Sequence, residues 1–179
     1  GSRQMDRLRR TIGASAVLSA IGALVLLAVG QVAIAPILRL LQTPDAIQGD
    51  TVLYLRIMFG GVPVVMAYNL FAGMIRSLGD SKTPLYAMMV ASCVNIGLDL
   101  LFVLVFRWGV FGVAIATVLS QVVSAVLIML RLMLTRESYR VELRKIRFDR
   151  SILKNVIRIG LPAGLQSVLY SVSNLVIQA

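Results

Sequence analysis

Uncharged stretches of apolar residues divide this chain at regular intervals. Thr11 to Leu38 is a run of 28 residues without a charge, and Ile57 to Ile75 is a run of 19. Thr83 to Phe106 is 24 residues interrupted only by Asp99, and Trp108 to Leu130 is 23. A helix needs about 20 mostly apolar residues to cross a hydrocarbon layer of roughly 30 Å. The pattern therefore predicts four spanning helices, at about 11–38, 44–75, 83–106 and 109–134. The second is extended upstream because Thr43-Pro44-Asp45 reads as a helix start with proline in the first turn. A fifth run, Ile159 to Ala179, carries Gln166, Ser167, Ser171, Ser173, Asn174 and Gln178, and reads as the truncated start of a further span.

Composition agrees with an all-α polytopic membrane protein. Apolar residues make up 58% of the 179 and charged residues 15%, with a mean hydropathy of +0.86. Average soluble domains hold roughly 45–50% apolar residues, so a soluble globular chain and a disordered one are both excluded. A single cysteine, Cys93, rules out a disulfide scaffold, and the absence of histidine leaves no set of ligands for zinc or copper. The first hydrophobic run is too long for a secretory signal. With no initiating methionine, the sequence reads as a piece of a larger chain.

The net charge of +10 would suggest nucleic acid if the basic residues were clustered on one surface. They follow topology instead. With the first helix starting on the cytoplasmic side, fifteen of the eighteen Lys and Arg residues fall inside and three (Arg39, Arg56, Arg107) outside. That is the bias expected of cytoplasmic loops. The expectation is thus a multi-pass protein of the cell membrane, with lipid and not nucleic acid around it, and with the N-terminus and the basic linker 135–150 in the cytoplasm. Tyr139, Leu143 and Ile146 recur at helical spacing in that linker, which suits either an amphipathic surface helix or a solvated connection between two halves.

Asp99 is the residue that most needs a reason. An ionised carboxylate in the bilayer costs about 2.5–3.5 kcal/mol on insertion scales, so such groups face a bundle interior or a wet cavity. Asn95 lies one helical turn earlier on the same face. Counting inward from Arg107 at ~1.5 Å per residue places Asp99 roughly 12 Å deep and Asn95 roughly 18 Å. Thr117 and Gln121 lie at matching depths on the next helix, because the connection Arg107-Trp108-Gly109 is tight. Carboxylate, amide and hydroxyl oxygens form a hard set that suits a proton or a sodium ion. The same residues also suit plain hydrogen bonding between helices, worth about 0.6 kcal/mol on average in membranes.

Other features read as architecture. Arg76 to Pro84 forms a cytoplasmic hairpin with a Gly-Asp turn. Pro63 and Pro162 are expected to kink their helices, Ala116, Ser120 and Ser124 let helices approach closely, and Trp108 reads as an interface anchor. Arg56 is the one candidate cation for a cavity. No nucleophile elbow and no phosphate-cradling glycine loop is present, so neither an enzyme nor a bound cofactor is expected.

From Met74 to Leu132 the chain carries, in order, RSLGDSKTP, NIGLD, GVFGVA and ATVLSQ. This series resembles the multidrug and toxic compound extrusion (MATE) family. LRRTIGASA is similar to the start of the family's third helix and IGLPAGLQSVLYSVSNLVIQA to the opening of its seventh. The resemblance implies a partial N-terminal lobe, residues 1–134, of a twelve-helix, two-lobe transporter. The linker 135–150 and the start of the C-lobe at 151–179 follow. It further implies antiport of organic, often cationic, drugs against H+ or Na+, and places Asn95, Asp99 and Thr117 in a cation site, with Gln121 a polar neighbour. The partners implied are the lipid bilayer, small organic substrates, and the rest of its own lobe and the C-lobe. A related flippase for lipid-linked oligosaccharides, or a non-transporting membrane anchor with a lipid-binding basic tail, are the alternative readings.

Overall fold

The computed structural model describes residues 2–40, 42 and 44–134, with the backbone alone described for 2–10. Beyond them it describes Lys154, Arg158, Pro162, Gln166, Ser167, Leu169, Tyr170, Ser173 and Asn174, all helical and exposed. The expected linker helix at 135–150 and most of the expected C-lobe start lie outside the described residues. Contacts group the chain into two compact units, residues 19–141 and residues 1–18 with 142–179. The packing described below is that of the first.

The described residues form four helices and no strand: α1 (Ser2–Leu40), α2 (Asp45–Ser77), α3 (Lys82–Leu100) and α4 (Gly109–Leu134), with a π-helical turn, Leu101–Val105, continuing α3. Each helix contains a stretch long and apolar enough to span a bilayer: Thr11–Leu40, Asp45–Ser77, Lys82–Val105 and Gly109–Leu134. Their outward residues are large and apolar, Ile21, Leu24, Val29, Met88, Met89 and Leu104 among them. In water such a surface would aggregate; in lipid it is the solvent-exposed face.

Two boundaries differ from the pattern of uncharged runs. Helix α1 begins nine residues before Thr11, because the basic segment from Ser2 to Arg10 contains neither proline nor glycine to stop a helix. The run ending at Phe106 is α-helical only to Leu100. Arg56 lies inside α2, within the helix expected at 44–75, and is exposed, its carbonyl accepting the Gln31 side-chain amide at 2.9 Å. At 33 residues α2 is longer than a bilayer requires. α1 runs through Pro36 and α2 through Pro63 without interruption of the helix.

Small residues set the interior. α4 buries Gly112, Ala116, Ser120, Ser124, Ile128 and Leu132, one residue per turn along a single stripe. That stripe meets α2 most extensively and α3 next. Gly61 of α2 approaches so closely that a Cβ there would stand 2.9 Å from a Val118 methyl. In lipid, apolar surface alone does not draw helices together; close packing of small residues does. The largest buried cluster joins Tyr68, Ala72 and Ile75 of α2 with Ala87 of α3 and Ala125, Ile128 and Leu132 of α4. It follows that α2 and α4 run in the same direction and α3 against them.

The α2–α3 hairpin closes this end. Gly79 takes a φ of +90°. The Asp80 carboxylate then accepts hydrogen bonds from the backbone amides of Lys82 (3.0 Å) and Thr83 (2.9 Å) and from the Thr83 hydroxyl (2.6 Å). These are amides that the first turn of α3 cannot satisfy itself. The bonds from Thr83, helped by Lys82 and by the Arg131 charge at the end of α4, hold the Asp80 carboxyl below its ordinary value. A depressed carboxyl stabilises the fold above the ordinary value of 3.8 and loses that contribution as pH falls through its folded value. Asp80→Ala is expected to destabilise the hairpin by about 1 kcal/mol at neutral pH, the usual magnitude for a lost cap. Thermal unfolding of wild type and variant in detergent should show the gap at pH 7 narrowing toward pH 3; an equal gap at both would rule the cap out.

Candidate functional site

Helix α3 buries one stripe: Pro84, Ala87, Ala91 and, in the π turn, Phe102. Asn95 and Asp99 continue that stripe and are half-buried, while Met88, Met89, Val90, Ile96 and Leu100 on the other faces are exposed. Four-residue spacing puts both polar side chains on the face that packs against α4. The helix thus carries its only internal carboxylate inward and not toward lipid.

Most polar side chains in the spans are satisfied by their own helix. The hydroxyls of Thr51, Thr117, Ser120 and Ser124 donate to carbonyls three or four residues back, at 2.7–2.9 Å, and the Asn69 amide does the same at 3.0 Å. The buried Tyr68 hydroxyl donates to the Pro84 carbonyl of α3 at 3.1 Å. Against that background, two buried side-chain atoms among the described residues have no partner: Asn95 Nδ2 and Asp99 Oδ1. Each unsatisfied buried polar atom costs about 1–3 kcal/mol, more for a charged group.

Of the residues expected to meet here, the structure brings Asn95 and Asp99 onto one face, one turn apart. It does not join them to α4 directly. Among the described residues no hydrogen bond links either to Thr117 or Gln121, because Thr117 Oγ1 donates to Val113 O at 2.9 Å. That is the ordinary behaviour of a threonine within a helix. It leaves the hydroxyl's lone pairs available, so Thr117 remains a ligand in kind though not a donor to Asp99. Gln121 is half-buried on the same helix one turn further along.

The chemistry of this set is that of a small cation. The Asp99 oxygen offers negative charge, and rotating the Asn95 amide by half a turn exchanges its nitrogen for its oxygen. Which of the two an amide presents is decided by what it bonds to. Thr117 adds a neutral oxygen. Oxygens of these kinds would suit a sodium ion if brought together, and a proton on Asp99 would serve the same end by removing the charge. The sequence reading missed the π turn beside this pair.

The MatE family model matches residues 1–101. The probable multidrug resistance protein YoeA of Bacillus subtilis is 28% identical over 99% of this chain, which covers 40% of that protein. A structure described as the inward-facing conformation of a multidrug resistance MATE family transporter of the MOP superfamily superposes with a TM-score of 0.82 at 30% identity. The match covers 90% of this chain and 37% of that one. A MOP superfamily transporter from Pyrococcus furiosus, described as having a binding pocket of reversed polarity that suggests a different function, gives 0.86 at 29% identity over 98% of this chain and 39% of that one. The chain therefore spans about 40% of the length of these proteins.

Because the Asn95 amide is buried and unpaired, replacing it with a residue of similar volume should relieve the fold. Asn95→Leu is expected to leave thermal stability unchanged or to raise it, by up to about 1–3 kcal/mol. A clear loss of stability, measured as a fall in the unfolding midpoint of the purified protein, would mean that the amide has a protein partner and is architectural.

Proposed function

The chain belongs to the MatE family, and on that premise we propose that it forms part of an antiporter exporting organic, often cationic, drugs in exchange for H+ or Na+. The observation that carries this reading is that Asn95 Nδ2 and Asp99 Oδ1 are buried without a partner among the described residues, on the packed face of a membrane-length helix. Carboxylates within spanning helices are costly and rare, and by default they mark ion or substrate paths. In the proposed cycle a cation or proton occupies Asp99, with Asn95 and Thr117 beside it and Gln121 as a polar neighbour. Its charge then shifts the packing between α3 and α4, and the affinity for substrate falls. Linkage requires the substrate to weaken cation binding by the same factor.

Orientation belongs to the same proposal. The bias of the basic residues supports a cytoplasmic side for the start of α1, the α2–α3 hairpin and the linker 135–150. The rest of the lobe and the second lobe would then complete the cavity.

The likeness to the Pyrococcus furiosus transporter means that fold alone does not choose the cargo. A lipid-linked oligosaccharide carries phosphate charge and calls for cations along its path. Away from the helix ends, Arg56 is the one described cation in the spanning segments, which is few for such a path. A carboxylate in the packed face favours a cationic cargo instead.

The test is efflux of a fluorescent cationic dye from energised cells making the longest natural chain that contains residues 1–179, at matched expression. Asp99→Asn is expected to slow efflux about tenfold or more, equivalent to about 1.4 kcal/mol of lost stabilisation. Thr117→Val should weaken it less, and varying sodium at fixed pH names the ion. Undiminished efflux by Asp99→Asn would move the coupling site elsewhere and reduce this pair to packing.

A further inference from the structure

The connection from α3 to α4 is tied at one residue, Phe102. In the π turn the Phe106 amide donates to Leu101 O at 3.1 Å and not to Phe102 O, as α-helical bonding would require. The freed Phe102 carbonyl accepts the Trp108 amide at 2.9 Å, across a chain reversal with Arg107 at φ +54° and Gly109 at φ +55°. The Phe102 ring lies 5.0 Å from that of Trp108 and 5.9 Å from that of Phe106, centroid to centroid. The other side of Phe102 is closed by α4. A Cβ on Gly112 would stand 2.9 Å from Phe102 Cβ, 3.1 Å from Trp108 Cβ and 3.4 Å from the Phe102 backbone carbon. None of these atoms is the far end of a flexible side chain, so only movement of α3 relative to α4 would relieve the contact.

This knot is the layer next to the candidate site. Phe102 follows Asp99 by three residues on the same buried stripe, and Gly112 precedes Thr117 by five on α4. We propose that Gly112 is a positioning residue: by admitting Phe102 to backbone contact, it sets the α3–α4 separation at which Asp99 and Thr117 together hold the coupling cation. The π turn makes this separation a local property of the helix pair. Its extra residue lets Phe102 bond to Trp108 while Asn95 and Asp99 keep their phase on the packed face. π turns of this kind recur at functional sites. The inference rests on the antiport reading given above and adds to it a residue that the ligand set does not contain.

The test compares Gly112→Ala with Gly73→Ala, a glycine of α2 whose added methyl would meet nothing within 4 Å. In the same dye-efflux assay, Gly112→Ala is expected to raise the concentration of coupling cation giving half-maximal efflux by about tenfold, since misplacement of reacting groups by about 1 Å costs up to a hundredfold. The rate at saturating cation should stay near that of wild type, and Gly73→Ala should move neither. A second readout uses Trp108, whose emission in the purified protein is isolated by difference against Trp108→Phe. Adding sodium, or acidifying in sodium-free buffer, should change that emission in wild type. The change should be absent in Asp99→Asn and displaced to higher cation concentration in Gly112→Ala. If Gly112→Ala fails to reach the membrane, the emission of wild-type Trp108 decides: a change on adding cation that Asp99→Asn lacks supports the assignment, and no change overturns it.

Unchanged half-saturation in Gly112→Ala, or an equal shift in Gly73→Ala, overturns the assignment while leaving the antiport reading intact if Asp99→Asn is still inactive. Full efflux by Asp99→Asn overturns the reading on which the assignment rests.

Discussion

A hydrocarbon solvent offers no hydrogen bonds, and the described structure follows from that constraint. Every backbone amide of a spanning segment must be paired within its own helix, which is why the described residues are helical almost throughout. Side-chain hydroxyls obey the same demand: Thr117, Ser120 and Ser124 turn back on their own carbonyls. One buried carboxylate oxygen and one buried amide nitrogen do not comply, and the proposed coupling site rests on that exception. Asn95 Nδ2 and Asp99 Oδ1 are that exception among the described residues.

Around the exception, packing does the positioning. The four-residue stripe of α4, from Gly112 to Leu132, lets α2 and α3 press against a narrow helix face. At one end the stripe terminates in the cluster of Tyr68, Ile75, Ala87 and Ile128 and in the Asp80-capped hairpin. At the other it terminates in the Phe102 knot, where hydrogen bonds, stacked rings and a missing Cβ coincide. The polar pair lies between these two ties. Helices tied at both ends can change their separation only in small steps, and at the proposed site small steps would suffice to alter how tightly a cation is held.

Much of this was legible in the order of the residues. Uncharged runs of spanning length indicated four apolar membrane helices, because hydropathy over twenty residues is a strong signal and solvation by lipid leaves few alternatives. Asp99 announced itself as the one charge inside a run, and Asn95 followed from helical spacing. What was not legible required three-dimensional detail. The π turn has no compositional signature in Leu-Phe-Val-Leu-Val, which reads equally well as α-helix. Gly112 stood inside the GVFGVA motif, yet only the approach of Phe102 explains why that position carries no side chain. The expected meeting of Asp99 with Thr117 assumed that a hydroxyl would turn toward a carboxylate, whereas it donates to its own helix.

The account turns on whether Asp99 holds a cation that the transported drug displaces. Proton- and sodium-sensitive electrodes, followed together while a cationic substrate is added to the purified longest natural chain in weakly buffered detergent, measure that directly. The account predicts release of about one proton or sodium ion per substrate bound, and none from Asp99→Asn, as reciprocal linkage demands. Equal release from the variant, or substrate binding to the wild type with no release of either ion, would contradict it.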